Sequence, residues 1–481
     1  MRTKPTAVFM AFGTKGDVYP IAAIAAAFAS DQRQYEVAFV THSAHEVFSI
    51  LQKLKVHLEA KRITYFPVSS PPVMSYQDTA GSSKVSFSLQ KNEIMIKHRQ
   101  ECVSIAEGIF GEDSNMDGDL IIINFFALEG WSLAELFQVR CVVAAPYVVP
   151  YSAPSSFERQ FQKELPLLYE YLQDAPTGKD AVTGLPRWHE RPLSPLLLYG
   201  FSKEVVECPD YWPSRVQVCG FWFLPFEWQF SCSSCADISS LSFSRKLNAE
   251  EEMCSIHVNL KAFLNALPEQ PIFMSLSSIG SMGYLKNPRA FLKVLENALS
   301  ITSCRFILFS AGYGPLDAEI KMSAQKLLSP SEQLQLSEDQ TCLFGGRLLC
   351  FSGDVPYNWL FPRCAAAIHH GGSGSTAAAL HAGIPQVICP FILDQFYWAE
   401  RMFWLGVAPE PLKGTCLVPD KDNDCYIMEA ANMLVGAINR ALSPEVKLQA
   451  SQIANRISGE DGVSEAVRLI REEINCTGAA V

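Results

Sequence analysis

Long apolar runs are missing from this sequence. A membrane-spanning helix needs roughly 20 consecutive apolar residues. The best candidate, Leu120 to Pro150, is interrupted by Glu129, Glu135 and Arg140. A cleavable leader is not expected either. Arg2 and Lys4 precede the apolar run Thr6–Phe12, but Gly13-Thr14-Lys15-Gly16-Asp17 ends it too early and offers no small-residue cleavage site. The run reads instead as a buried first strand. Charge is sparse, at 19% Asp, Glu, Lys and Arg, which argues against a disordered chain or a coiled coil. Basic charge is in deficit, with 39 Lys and Arg against 50 Asp and Glu and a net charge of −11. Proteins that grip a nucleic-acid backbone show the opposite balance, so no nucleic-acid partner is expected. No repeat of solenoid length is present. The 15 cysteines are scattered and odd in number, the pattern of reduced, mostly buried thiols in a cytoplasmic protein. The single C-x-x-C, Cys232-Ser-Ser-Cys235, has no second ligand pair at a suitable spacing. No metal is expected there, and the segment reads as polar linker.

What is present builds a core. The chain has 481 residues, 48% of them apolar, enough for two large domains. Val8–Phe12 reads as a strand, followed by a glycine turn, a helical Ile21–Ala29, a strand at Glu36–Thr41 and another helix from about Ala44. That order opens a doubly wound α/β domain. Leu120–Asn124 and Cys141–Ala145 read as further strands with a helical Leu128–Phe137 between them. Tyr151–Arg191, rich in proline, aromatics and charge, reads as helical insertions. After a serine-rich stretch the α/β pattern restarts, with strands at Ile272–Leu276, Arg305–Ser310, Leu348–Phe351, Ala365–His369 and Gln386–Pro390. The expected domains are residues 1–230, a partly disordered linker 231–258, a second α/β domain 259–450, and a helical segment 451–481 packing back on the first domain. Two such domains imply a cleft lined by strand carboxyl ends, where open α/β sheets bind ligands.

The most informative segment is Ile368-His-His-Gly-Gly-Ser-Gly-Ser-Thr-Ala-Ala-Ala-Leu, which leaves a strand and enters an alanine-rich helix. Gly371, Gly372 and Gly374 permit close backbone approach. The helix start presents free N–H groups and a positive dipole end, a ready site for a phosphate or diphosphate. Ser373, Ser375 and Thr376 add hydroxyls, and His370 can donate to an anionic oxygen. Downstream, Gly383-Ile-Pro-Gln-Val-Ile-Cys-Pro-Phe-Ile-Leu leads to Asp394 and Gln395, a carboxylate and an amide suited to sugar hydroxyls.

The run from Val355 to Thr376, with Gly383-Ile-Pro and Pro390-Phe-Ile-Leu-Asp-Gln-Phe-Tyr-Trp-Ala-Glu-Arg, resembles the nucleotide-sugar signature of UDP-sugar-dependent glycosyltransferases. Within that family it resembles the sterol 3-beta-glucosyltransferases and their bacterial antibiotic-glycosylating relatives. Gly13-Thr-Lys-Gly-Asp-Val-Tyr-Pro is similar to their first loop, and Glu460-Asp-Gly-Val-Ser-Glu-Ala-Val to their tail. The resemblance implies a GT-B fold, two Rossmann-like domains with the acceptor bound mainly by the first and UDP-sugar by the second. It also implies inversion at the anomeric carbon, no catalytic metal and no cofactor beyond the UDP-glucose donor. It makes Asp17 the general base. Gly16, Ser278, His370, Gly372, Ser373, Gly374 and Ser375 become contacts of the UDP-sugar, and Asp394 and Gln395 the pair that binds the sugar. An acceptor alcohol is a poor nucleophile, and a carboxylate can take its proton as it attacks. A helix N-terminus with His370 can stabilise the departing diphosphate. The alternative role for Asp17 is to cap a helix starting near Pro20.

Some positions depart from the family pattern. Lys15 stands where arginine is usual, and Ser275-Leu-Ser-Ser-Ile stands for Gly-Phe-Gly-Ser-Met. Ala378 replaces the ribose-binding glutamate of the plant small-molecule branch, and Ser352 lies near that branch's uracil-stacking tryptophan. Asp117-Gly-Asp119 reads as a plain turn, and His42 and His45 as structural. Phe221, Trp222, Phe223, Phe226, Trp228 and Phe230 read as interdomain core, with a lipid-facing patch as the alternative. Lys163, Lys179, Arg187 and Arg191 near Trp188 form no clear amphipathic basic helix.

The expectation is a monomeric, metal-independent enzyme, cytoplasmic or peripheral to membranes, moving glucose from UDP-glucose to a hydroxyl of a lipophilic acceptor, foremost a sterol. Longer family members carry N-terminal membrane-targeting modules. This sequence opens on the catalytic fold, so any membrane contact is expected from the core itself. The alternatives are another lipid or natural-product acceptor, or a catalytically weakened lipid- or nucleotide-sugar-binding protein.

Overall fold

A computed structural model describes residues 2–47, 53–72, 84–111, 116–148, 195–208, 212–229, 258–276, 279–280, 282–310, 312–327, 340–352, 355–419 and 422–475. The chain divides into two compact units. One gathers Met1–Pro225 with Gly459–Val481, and the other is Phe226–Ser458.

The first unit is built on β1 (Thr6–Met10), β2 (Glu36–His42), β3 (Ile63–Val68), β4 (Leu120–Ile123), β5 (Arg140–Ala145), β6 (Leu196–Tyr199) and β7 (Val216–Val218). They pair in the order β3-β2-β1-β4-β5-β6-β7, parallel throughout. β1 and β4 are buried at every position, as parallel strands covered on both faces must be. β3 carries Pro67 and alternates in exposure, which hides it from sequence reading. Its place at the sheet edge is where a strand proline is tolerated.

Helices α1 (Lys15–Asp31), α2 (Lys53–Ala60), α3 (Lys84–Phe110) and α4 (Glu129–Leu136) belong to this unit. The Asp117-Gly-Asp119 turn is a structural latch. Asp119, 3% exposed, accepts from both Arg2 Nη atoms at 3.0 and 2.8 Å and from Thr6 N at 2.7 Å. The tail helix Gly462–Asn475 packs on the same unit. Arg140 Nη1 donates to the carbonyls of Glu473 and Ile474, and Trp222 Nε1 to that of Gly462 at 3.0 Å. Phe221 and Trp222 are thus buried in the first unit's own packing, while Phe226 and Trp228 belong to the second unit and Phe230 lies outside the described residues.

The second unit carries α5 (Val258–Asn265), β8 (Ile272–Ser275), α6 (Pro288–Ile301), β9 (Phe306–Phe309), α7 (Gly314–Leu327), β10 (Gln340–Leu343) and β11 (Leu348–Phe351). It continues with β12 (Ala366–His369), α8 (Ser373–Ala382), β13 (Gln386–Ile388), α9 (Gln395–Trp404), α10 (Asp424–Ala441) and α11 (Pro444–Ile457). The strand order is β10-β11-β9-β8-β12-β13, parallel except for the β10–β11 pair. Phe291 and Leu295 of α6 and Leu434 and Ile438 of α10 join the buried strand residues in one core. The segment from residue 451 is split: α11 stays with this unit, packed on α8, and the first unit's tail begins at Gly459.

In both sheets the winding direction reverses beside the unit's first strand. That point falls between β1 and β4 in one sheet and between β8 and β12 in the other. Loops leaving the carboxyl ends there splay apart and leave room for ligands. Each unit carries one candidate functional loop at such a point.

Candidate active site

In the first unit the candidate residues lie on the loop after β1. Thr14 caps α1, which begins at Lys15, so Pro20 sits inside the helix instead of near its start. Pro20 has no N–H to return to the Gly16 carbonyl, and Gly16 is exposed. Asp17 is the third helical residue. Its Oδ2 accepts from Thr14 N at 2.7 Å and Thr14 Oγ1 at 2.8 Å. A capping role is therefore real, but at Thr14 and not near Pro20. Burial raises the Asp17 pKa from 3.8 to about 6, against the opposing pull of the two Thr14 bonds. A carboxyl poised near 6 is largely ionised at neutral pH and still basic enough to take a proton.

Three neighbours shape the loop around this carboxyl. Gly13 has φ +102°, and a Cβ there would meet Asp17 Oδ2 at 2.6 Å, so the position requires glycine. Asn124, just past β4, spans the reversal point: its Nδ2 donates to Phe12 O at 2.7 Å and Asp17 O at 3.2 Å, and its Oδ1 accepts from Phe12 N at 3.2 Å. His45 donates through Nε2 to Gly13 O at 2.9 Å.

In the second unit the candidate residues lie on the turn between β12 and α8. Gly371 has φ +89°, and a Cβ there would meet Ile388 Cγ2 at 2.9 Å and the Gln395 carbonyl at 3.0 Å. This close approach brings the glycine turn against the start of α9. A Cβ on Gly372 would strike His370 Nε2 at 2.5 Å, whereas one on Gly374 would meet open space. The first bond inside α8 is Thr376 N to Gly372 O at 3.0 Å, so the N–H groups of Ser373, Gly374 and Ser375 have no partner within the helix.

The two adjacent histidines divide the work. His369, fully buried, accepts from Gly371 N at Nδ1 (3.0 Å) and donates through Nε2 to Gln386 Oε1 (2.9 Å). Both of its nitrogens are occupied internally. His370 Nδ1 is buried with no hydrogen-bonding partner among the described residues, and so is Thr376 Oγ1. Burial, with His369 beside it, lowers the His370 pKa to about 3, so the ring is neutral.

Asp394 and Gln395 form the start of α9 rather than a loose loop. Gln395 Oε1 accepts from Phe391 N at 2.9 Å and Ile392 N at 3.1 Å, leaving the amide NH₂ to donate. Asp394 Oδ2 accepts from Trp398 Nε1 at 3.1 Å. Leu393 before them is held at φ +52°. Ser277 and Ser278 lie outside the described residues. Among the described residues no acidic, histidine and cysteine group could hold a metal, and no helix is long and apolar enough to cross a membrane.

Residues 347–460 match the family described as erythromycin biosynthesis protein CIII-like, C-terminal domain. The chain is 40% identical over 114 residues to a sterol 3-beta-glucosyltransferase of Arabidopsis thaliana, covering 24% of this chain and 17% of that protein. It is 23% identical to the sterol 3-beta-glucosyltransferase of Aspergillus clavatus, covering 97% of this chain and 29% of that one. It thus spans under a third of the length of either. The crystal structure of the calicheamicin glycosyltransferase CalG4 superposes with a TM-score of 0.60 at 14% identity, covering 99% of this chain and all of that one.

The fold is GT-B. The two parallel-sheet units are its two Rossmann-like domains, and similarity to sterol 3-beta-glucosyltransferases runs over nearly the whole chain. Within this GT-B frame, sequence reading took His45 as structural and missed Thr14, Asn124, His369 and Gln386. Each acts by holding a loop, and a lone polar residue after a strand gives no signal of that role in one sequence.

Proposed function

We propose that the chain transfers glucose from UDP-glucose to the hydroxyl of a sterol, with inversion at the anomeric carbon. The acceptor O–H proton goes to the Asp17 carboxylate as the oxygen forms its bond to C1. The C1–O bond to the diphosphate breaks, and UDP leaves with the electron pair. The open N–H groups of α8 and His370 meet the charge that develops on the diphosphate. Asp394 and the Gln395 amide orient the glucose hydroxyls.

The observation that carries this reading is the matched chemistry of the two reversal-point loops. One holds a lone carboxyl with its pKa raised to about 6, and the other an anion-shaped glycine turn with an unpartnered buried histidine nitrogen. Similarity to sterol 3-beta-glucosyltransferases supports the acceptor class.

The test is incubation of the purified chain, and of Asp17→Asn, with UDP-glucose and a mixed sterol extract, read by mass spectrometry. Hexose added to sterol by the wild type alone is the expected result. Transfer only to non-sterol alcohols would move the acceptor class. Equal product from both proteins would remove Asp17 as base.

A further inference from the structure

We infer that His45 is a positioning residue for Asp17, a neutral imidazole clamp on the loop that carries the base. This rests on the proposed transfer reaction. His45 sits in the short helical turn Ala44–Val47 after β2, 5% exposed. Its Nε2 lies 2.9 Å from the Gly13 carbonyl. A carbonyl can only accept, so Nε2 bears the proton. Nδ1 is then a bare lone pair, buried and with no partner among the described residues. A second proton would sit on that buried atom with nothing to receive it, which keeps the ring neutral.

Gly13 is gripped from both sides. His45 holds its carbonyl, and the Asp17 carboxyl occupies the space a side chain would fill. Through this one residue the imidazole fixes where the carboxylate stands.

The histidine rings beside His45 are neutral as well. The His42 ring lies 6.0 Å away, and Ser70 Oγ links His42 Nδ1 at 3.1 Å to His98 Nδ1 at 2.7 Å. The hydroxyl donates its one proton to one of these rings and accepts the N–H of the other. Burial lowers the pKa of His42 to about 3 and of His98 to about 4. Lys15 is the cation that acts on His45, and it too disfavours a charged ring. The acid limb read in the experiment is that of Asp17, raised to about 6.

The experiment compares wild type, His45→Ala and His45→Gln across pH. His45→Ala should lower kcat roughly tenfold to a hundredfold, the scale of a displaced catalytic group. The KM for UDP-glucose should stay within about twofold, because the donor loops are untouched. The acid limb should move down from about 6 towards the ordinary carboxylate range as water reaches Asp17. His45→Gln, whose amide N–H can serve the same carbonyl, should recover most of the rate. An unchanged rate in His45→Ala overturns the inference. So does a loss that glutamine does not rescue, with the limb unmoved. Should the wild type transfer no sugar, the functional reading fails, and ¹³C titration of the Asp17 carboxyl decides this inference alone. A lower pKa in His45→Ala supports it, and an unchanged one overturns it.

Discussion

The two reversal-point loops solve different problems on the same scaffold. After β1 the chain turns into a helix around one carboxyl, which is partly desolvated, capped by Thr14 and left basic. After β12 it turns into a helix around backbone N–H groups, with glycines that allow approach and a histidine whose Nδ1 is unpartnered. The first loop is built to exchange a proton and the second to meet a fixed charge. The reversal point supplies only a location, and the residues buried behind each loop decide its chemistry.

Removing the proton acceptor should separate the two loops most sharply. Asp17→Asn keeps an oxygen for Thr14 to bond, and should lower turnover about 10²- to 10⁴-fold with UDP affinity unchanged by calorimetry. The fold should not suffer. A carboxyl whose folded pKa is about 6 against 3.8 binds its proton more tightly when folded, so it favours folding below 3.8 and loses that contribution as pH rises to 6. The asparagine variant should therefore melt at least as high as wild type at pH 7.5, and lose that advantage at pH 4.

On the other loop, His370→Ala should weaken UDP binding about tenfold, near the ~1.5 kcal/mol of a charge-assisted hydrogen bond. Turnover should fall with it, and unchanged affinity would take His370 away from the diphosphate. Gln386→Leu strands the buried Nε2–H of His369, at a cost of about 1–3 kcal/mol in denaturant stability. It should loosen UDP binding less than His370→Ala does. Gly13→Ala forces a side chain into φ +102° and onto the Asp17 carboxyl, costing roughly 1–3 kcal/mol. Its activity loss should stay below that of Asp17→Asn, with donor KM unmoved.

How much of this was legible in the sequence follows the same division. The second loop could be read because its chemistry is local: His369 to Thr376 is one unbroken run in which the glycines, hydroxyls and histidine announce themselves. The strands around it could be read because they are continuous buried apolar runs. Edge strand β3 could not, since Pro67 contradicts the strand pattern and only its edge position excuses it. The sequence places the start of α1 near Pro20, because a proline normally marks a helix beginning, whereas Thr14 caps this one six residues before it. For the Asp17 loop the sequence shows the carboxyl and hides its support. Asn124 and His45 arrive from distant positions and act on backbone carbonyls, contacts that exist only once the sheet is assembled.

The most direct test of Asp17 as the base is the pH dependence of kcat for glucosyl transfer, measured from pH 4.5 to 8.5 in wild type and in the residual activity of Asp17→Asn. Protonation of Asp17 removes the base, so wild-type turnover should rise with a midpoint near 6 and level off above it, and the limb should vanish in the variant. A limb that persists unchanged in Asp17→Asn would assign the base elsewhere and contradict the mechanism.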